Sequence, residues 1–211
     1  MPYVSDSIGT KFERVVQERF SELGRSQGGN LPDFYHSNGF YVEAKVGNIE
    51  WGPRVKTYQI DDFRGISEPV VYAMGFHNFD YAIRKLSGKP EPERQRTLDR
   101  EFNVLEVLFI SNNLVEKIWK KENRFSKEGP TEYCMFKHSL ANALFKGTFR
   151  RFGKKEKPKT YYGFSPKEYY FFKHDYKGIT WRAVLHKRKD RKVINFLRKA
   201  GIWDASGVIV Q

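Results

Sequence analysis

Residues 40–46, Phe40-Tyr41-Val42-Glu43-Ala44-Lys45-Val46, change character at every step. Successive side chains of a strand point to opposite faces, so Phe40, Val42, Ala44 and Val46 share one face and Tyr41, Glu43 and Lys45 the other. The first face is apolar and needs a core against it. The second holds a carboxylate beside an ammonium.

Just upstream, Leu31-Pro32-Asp33-Phe34-Tyr35-His36 leads into Ser37-Asn38-Gly39, so the two runs read as a β-hairpin. A two-residue turn at Asn38-Gly39 would pair Ser37 with Phe40 and send Asp33 and Glu43 to opposite faces. A three-residue loop, Ser37-Asn38-Gly39, pairs His36 with Phe40 and sets Asp33 opposite Glu43. That loop requires a left-handed residue in its third position, and Gly39 stands there. The expectation is therefore a three-residue loop with Gly39 at positive φ.

Further out, Ile8, Phe12, Val15, Val16, Phe20 and Leu23 fall at helical spacing, with Ser7 to cap a helix over 8–23 and Gly24 to end it. Downstream, Thr57–Phe63 suits a short helix carrying Gln59, Val70–Phe76 a buried strand and Tyr81–Leu86 a helical turn. Lys89–Glu93, with two prolines, reads as a loop. Val104–Ile110 reads as a strand, and Ser111 or Asn112 can cap a helix to Lys121. Thr131–Lys146 reads as a helix with Cys134 in its core, and Asp190–Lys199 as a helix ended by Gly201. The class is α/β. Tyr161–Tyr176 holds eight aromatics in 16 residues without a clean period; such density is usually core, although it can also stack on bases.

The chain has 211 residues, with 38 Lys+Arg against 25 Asp+Glu and a net charge of +13. Residues 1–100 hold 14 basic and 14 acidic side chains, leaving 24 against 11 in residues 101–211, so the whole excess lies in the second half. A neutral half can hold a carboxylate-rich site while the basic half holds a polyanion against it, and nucleic acid is the usual partner. With 39% hydrophobic and 16% aromatic residues the chain is not a disordered tail. Apolar runs such as Val107-Leu108-Phe109-Ile110 fall far short of the roughly 20 residues that span a bilayer. The residues after Met1 lack a signal-peptide pattern, and Cys134 alone excludes an intramolecular disulfide and a multi-cysteine zinc site. The expectation is an intracellular protein with no membrane partner.

Glu13, Asp33, Glu43-Ala44-Lys45 and Gln59 follow in order along the chain. Mg²⁺ takes hard oxygen ligands, one or two of them carboxylates, and completes its shell with water and substrate phosphate. Asp33 and Glu43 can supply the carboxylates and Ala44 a backbone carbonyl. Lys45, on the same face as Glu43, can orient or deprotonate a water and offset charge on phosphate. Glu13 can hold a metal-bound water from the helix side, and Gln59 can bond the attacking water or a phosphate oxygen.

Pro32-Asp33 followed by Glu43-Ala44-Lys45 resembles the PD-(D/E)XK nuclease superfamily. Gly9-Thr10-Lys11-Phe12-Glu13-Arg14, Leu31-Pro32-Asp33-Phe34, Val42-Glu43-Ala44-Lys45 and Gln59 resemble, in order and approximate spacing, the archaeal-type Holliday junction resolvases over roughly residues 7–76. The resemblance implies a restriction-endonuclease-like mixed sheet flanked by helices, a homodimer, and Mg²⁺-dependent phosphodiester cleavage, with Mn²⁺ able to substitute. It makes Glu13, Asp33, Glu43 and Lys45 the catalytic set, with Gln59 following.

The resulting expectation is a nuclease core over 1–110 and a basic, aromatic-rich segment over 111–211 that packs on the core or extends it as a DNA-binding surface. Candidate DNA contacts are Arg14, then Arg150, Arg151, Lys154, Lys155, Lys157 and Lys159 in one basic loop. Lys187, Arg188, Lys189, Arg191 and Lys192 form a second group. The favoured substrate is a four-way DNA junction. A restriction or homing type endonuclease reading duplex sequence, and a DNA-binding protein that never cuts, are the alternatives.

Overall fold

The hairpin read from Asn38-Gly39 seeds the sheet. The computed structural model describes residues 4–78, 89–122, 125–128, 131–146 and 168–201. In it β2 (Phe34–His36) turns into β3 (Phe40–Asn48), with β1 (Gly24–Arg25) antiparallel on the outer side of β2. β3 runs parallel to β5 (Val70–His77), and parallel neighbours require a crossover. Here β4 (Arg54–Lys56) and α2 (Thr57–Arg64) make it. β5 is antiparallel to β6 (Val104–Ser111), β6 is parallel to β10 (Ile179–His186), and β10 is antiparallel to β9 (Tyr169–Tyr176). The protein is thus α/β, with a mixed seven-stranded sheet of order β1-β2-β3-β5-β6-β10-β9 flanked by helices.

Each face of the sheet has its own core. α1 (Val4–Arg19) and α6 (Arg191–Lys199) cover the face of Phe40, Val42 and Ala44, packing Phe12, Val16, Val193, Phe196 and Leu197 against Val71, Phe109 and Trp181. Gly75 lies on that face, and a Cβ there would meet Phe12 Cε2 at 2.3 Å, so only glycine lets α1 approach so closely. The opposite face buries Tyr72, Met74, Leu108 and Ile110 beneath α2, α4 (Asn112–Glu122) and α5 (His138–Lys146). A second sheet, β4-β8-β7, adds to this layer through β8 (Thr131–Met135) and β7 (Phe125–Glu128). β5 lies between both layers, and all eight of its residues are buried.

Several elements differ from the sequence reading. α1 starts before Ser7 and ends at Arg19; Phe20 N still bonds Val16 O at 3.0 Å, but a turn then drops Leu23 into the core and Gly24 opens β1. The expected loop over Lys89–Glu93 instead contains the start of α3 (Glu91–Glu101). Pro92 falls in its first turn, where a missing N–H removes no helical hydrogen bond. Thr131–Lys146 is a strand followed by a helix, because Val55 of β4 and Phe125 of β7 flank Cys134 as ladder partners. Cys134 is buried, as a core residue should be, but on a strand.

The described part of the aromatic cluster is β9, which joins β10 through Lys177 (φ 50°) and Gly178 (φ 75°) in a tight two-residue turn. Tyr169 and Phe172 are buried and Tyr176 is exposed. Residues beyond 110 therefore add two strands to the same sheet as residues 1–110. Tyr81–Leu86 lies outside the described residues. No described helix is long and apolar enough to cross a membrane.

Candidate active site

Gly39 adopts φ 79°, its N–H donates to His36 O at 2.8 Å, and His36 pairs with Phe40. The loop has three residues, as the residue types require, and Asp33 and Glu43 fall on the same face. The β2–β3 ladder ends at Phe34–Val42, two residues after Pro32, which has no N–H to donate. Beyond that rung side chains take over. Ala44 N donates to Asp33 Oδ2 at 2.8 Å, and Asp33 N donates to Glu43 Oε2 at 3.2 Å.

Glu43 is 2% exposed and collects two more donors on Oε1: Lys45 Nζ, and Gln59 Nε2 at 2.9 Å from α2. Burial pushes its carboxyl above the usual range; Lys45 opposes this and the Asp33 charge adds to it. Gln59 Oε1 is buried and takes no hydrogen bond. Since its NH₂ group donates to Glu43, this amide keeps an acceptor for a donor that the described residues do not provide. Tyr72 is the ladder neighbour of Glu43 on β5; its hydroxyl is buried with no partner among the described residues, and burial raises its pKa well above the ordinary value, with Glu43 adding to the rise.

Glu13 is placed differently. Its carboxylate pairs with Arg25 Nη1 at 2.5 Å on β1, and the guanidinium lies 4.8 Å from the centre of the Phe34 ring. Ser26 N donates to Asp33 O at 3.1 Å, so the Glu13–Arg25 pair sits beside the segment that leads through Asp33 into β2. The structure therefore gathers Asp33, Glu43, Lys45 and Gln59 and pairs Glu13 with Arg25. The sequence reading gives Arg25 no role and Tyr72 only a place in a buried strand. Neither carries a local signal, since β1 and the ladder alone bring them to these places.

Among the described residues no three His, Cys, Asp or Glu side chains form a metal-holding group. Two carboxylates nonetheless satisfy the protein share of a Mg²⁺ shell. Asp33 and Glu43 stand together with one ammonium, that of Lys45, bonded to Glu43, a donor set that a divalent ion would suit.

Arg14 is exposed on α1. Lys187, Arg188, Lys189, Arg191 and Lys192 are exposed where β10 runs into α6. Arg188, Lys189, Arg191 and Lys192 line an open cleft of about 590 Å³ with Ser67, Glu68 and Pro69. Lys192 Nζ lies 2.8 Å from the place a Cβ on Gly39 would occupy, so this cluster borders the hairpin turn. Along β3, Phe40 beside that turn and Glu43 are three strand residues, or roughly 10 Å, apart. Arg150, Arg151, Lys154, Lys155, Lys157 and Lys159 lie outside the described residues.

Comparison with protein-family models, curated proteins and solved structures finds no match to this chain. The functional reading rests on the geometry above.

Proposed function

We propose that this chain is a divalent-metal-dependent DNA endonuclease on a restriction-endonuclease-like core, selective for four-way junctions and acting as a homodimer. The observation that supports it is the meeting of Asp33, Glu43, Lys45 and Gln59 on one sheet face, linked by hydrogen bonds that pass through Glu43. Asp33, Glu43 and the Ala44 carbonyl are the groups to hold Mg²⁺, with Mn²⁺ as a substitute. The ion supplies Lewis acidity to the phosphate and to the departing 3′ oxygen.

The chain's own side chains do the remaining work. Gln59 Oε1 accepts a hydrogen bond from the attacking water and so aims its oxygen at phosphorus. Lys45 offsets the charge that grows on the phosphate oxygens. The water oxygen bonds to phosphorus as the P–O3′ bond breaks, its proton ends on the 3′ oxygen, and a 5′-phosphate and a 3′-hydroxyl remain. Glu13 serves through a water on the α1 side. The cluster from Lys187 to Lys192 holds backbone phosphates without reading sequence. A two-fold junction must be cut on opposed strands, which asks for two copies.

The test is Mg²⁺-dependent cleavage of an immobile four-way junction beside linear duplexes of the same arms. Paired symmetric cuts in the junction, lost in Glu43→Gln with binding retained, are expected. Discrete cuts in long duplex with an intact junction would replace the substrate by a duplex sequence. Tight binding with no cutting of either would end the nuclease reading.

A further inference from the structure

Trp51 is 59% exposed, more than the other exposed large apolar side chains among the described residues, Leu31, Tyr35, Tyr58 and Tyr176. A solitary exposed apolar residue on a loose loop needs no explanation, but this loop is pinned. Gly52 N bonds Asn48 O at 2.7 Å, Ile49 N bonds His77 O at 3.0 Å, and Phe136 N bonds Pro53 O at 2.9 Å. Glu50 N is held by Asn48 Oδ1 at 2.7 Å. Gly52 sits at φ 75° with Phe136 O only 2.0 Å from where its Cβ would be, and a Cβ on Gly47 would meet Gly52 C at 2.3 Å. The backbone on both sides of Trp51 is fixed, and the indole is presented to solvent by design of the loop.

The loop also stands beside the site. Gly47, against which Gly52 packs, is two strand residues beyond Lys45, or roughly 7 Å. On the other side, Tyr58 is 51% exposed, immediately precedes Gln59, and has Lys56 Nζ 5.6 Å from its ring centre. A flat, rigid, exposed indole next to a phosphate-directed site in a chain of charge +13 matches one ligand surface well: the face of a nucleobase. Inside a continuous duplex those faces are already covered by neighbouring bases. At a flap, a gap or a branch point they are open.

We propose that Trp51 is a stacking platform for a nucleobase face left uncovered at a branch or break beside the scissile phosphate, and so a residue that selects branched or interrupted DNA over continuous duplex. This rests on the nuclease reading for the meaning of the neighbouring site, but its test needs no cleavage. The full chain is titrated in EDTA against a duplex bearing a 5′ single-stranded flap, with 2-aminopurine as the first unpaired base, and against the fully paired duplex. The wild type should prefer the flapped DNA and quench the 2-aminopurine. Trp51→Ala should weaken flap binding about tenfold and abolish the quench, Trp51→Phe should keep most of both, and binding to paired duplex should stay within about twofold. Both variants should melt within about 2 °C of wild type, since the side chain is exposed.

Equal losses on both DNAs, an unchanged flap affinity, or a change in self-association with DNA affinity intact would overturn the proposal. So would a wild type that binds neither DNA. A wild type that stacks the base yet never cuts with Mg²⁺ would end the nuclease reading and leave the platform standing.

Discussion

Asp33 and Glu43 are fixed to each other by backbone donors: the Asp33 N–H donates to Glu43 Oε2 at 3.2 Å, and the N–H following Glu43, that of Ala44, donates to Asp33 Oδ2 at 2.8 Å. Two carboxylates brought this close repel, and backbone donors to charged acceptors are what can hold them together. Their convergence needs the odd loop length, because shifting the pairing by one residue would send Glu43 to the α1 face and Ala44 to the α2 face.

Gly39 is the residue on which that loop depends. At φ 79° an L side chain is strained, while the Lys192 tip that a Cβ would meet can swing aside. Gly39→Ala should cost about 1 kcal/mol of stability. Urea unfolding of variant and wild type checks this, and a cost near zero would mean that the turn adopts another conformation in solution.

Gln59 supports the site by donating to Glu43 and by offering a free acceptor. Gln59→Leu should lower kcat by about 10- to 100-fold, as loss of a supporting hydrogen bond does around catalytic metals, with KM for DNA nearly unchanged. Steady-state kinetics on a cleaved junction read the split. A raised KM with kcat intact would instead make Gln59 a phosphate ligand.

Asp190 gives a pH signature away from the site. It is 2% exposed and accepts from His186 N at 2.7 Å and from Ser111, yet burial pushes its pKa up to about 6 from 3.8. A carboxyl whose folded pKa is raised keeps its proton in the native state while the unfolded chain loses it, so stability falls as pH rises from about 4 to about 6 and then levels. Over that window Asp190→Asn should gain roughly 3 kcal/mol relative to wild type, from about 1.4 kcal/mol per pKa unit. Unfolding free energies of both proteins at pH 4 and pH 7 test it, and a constant difference would refute the shifted titration.

Arg188 and Lys192 flank the cleft beside the hairpin turn. If each neutralises one phosphate, the double variant Arg188→Ala/Lys192→Ala should flatten the slope of log K against log salt by about 1.8. Binding isotherms between 50 and 200 mM salt measure it. An unchanged slope would remove this cluster from the DNA surface.

The hairpin, its loop length and the shared face of Asp33, Glu43 and Lys45 were legible in the chain because each depends on neighbours within a dozen residues: alternation, a proline, a left-handed glycine. The same locality made α2, β5, β6 and α6 readable. β8 was not, since Thr131–Met135 becomes a strand only by lying between β4 and β7. β10 was missed for a similar reason, as its place is set by a parallel neighbour, β6, about 75 residues earlier.

Residue types and their spacing thus decided which side chains could form a carboxylate–lysine site, because strand periodicity and turn chemistry are properties of short segments. Their final arrangement came from packing: Arg25 took Glu13, Gln59 reached Glu43 from the crossover helix, and Lys192 came to rest beside Gly39. Each of those meetings joins segments that touch only after two hydrophobic faces have closed on one sheet, and burial, which acts on area and not on sequence distance, selected them.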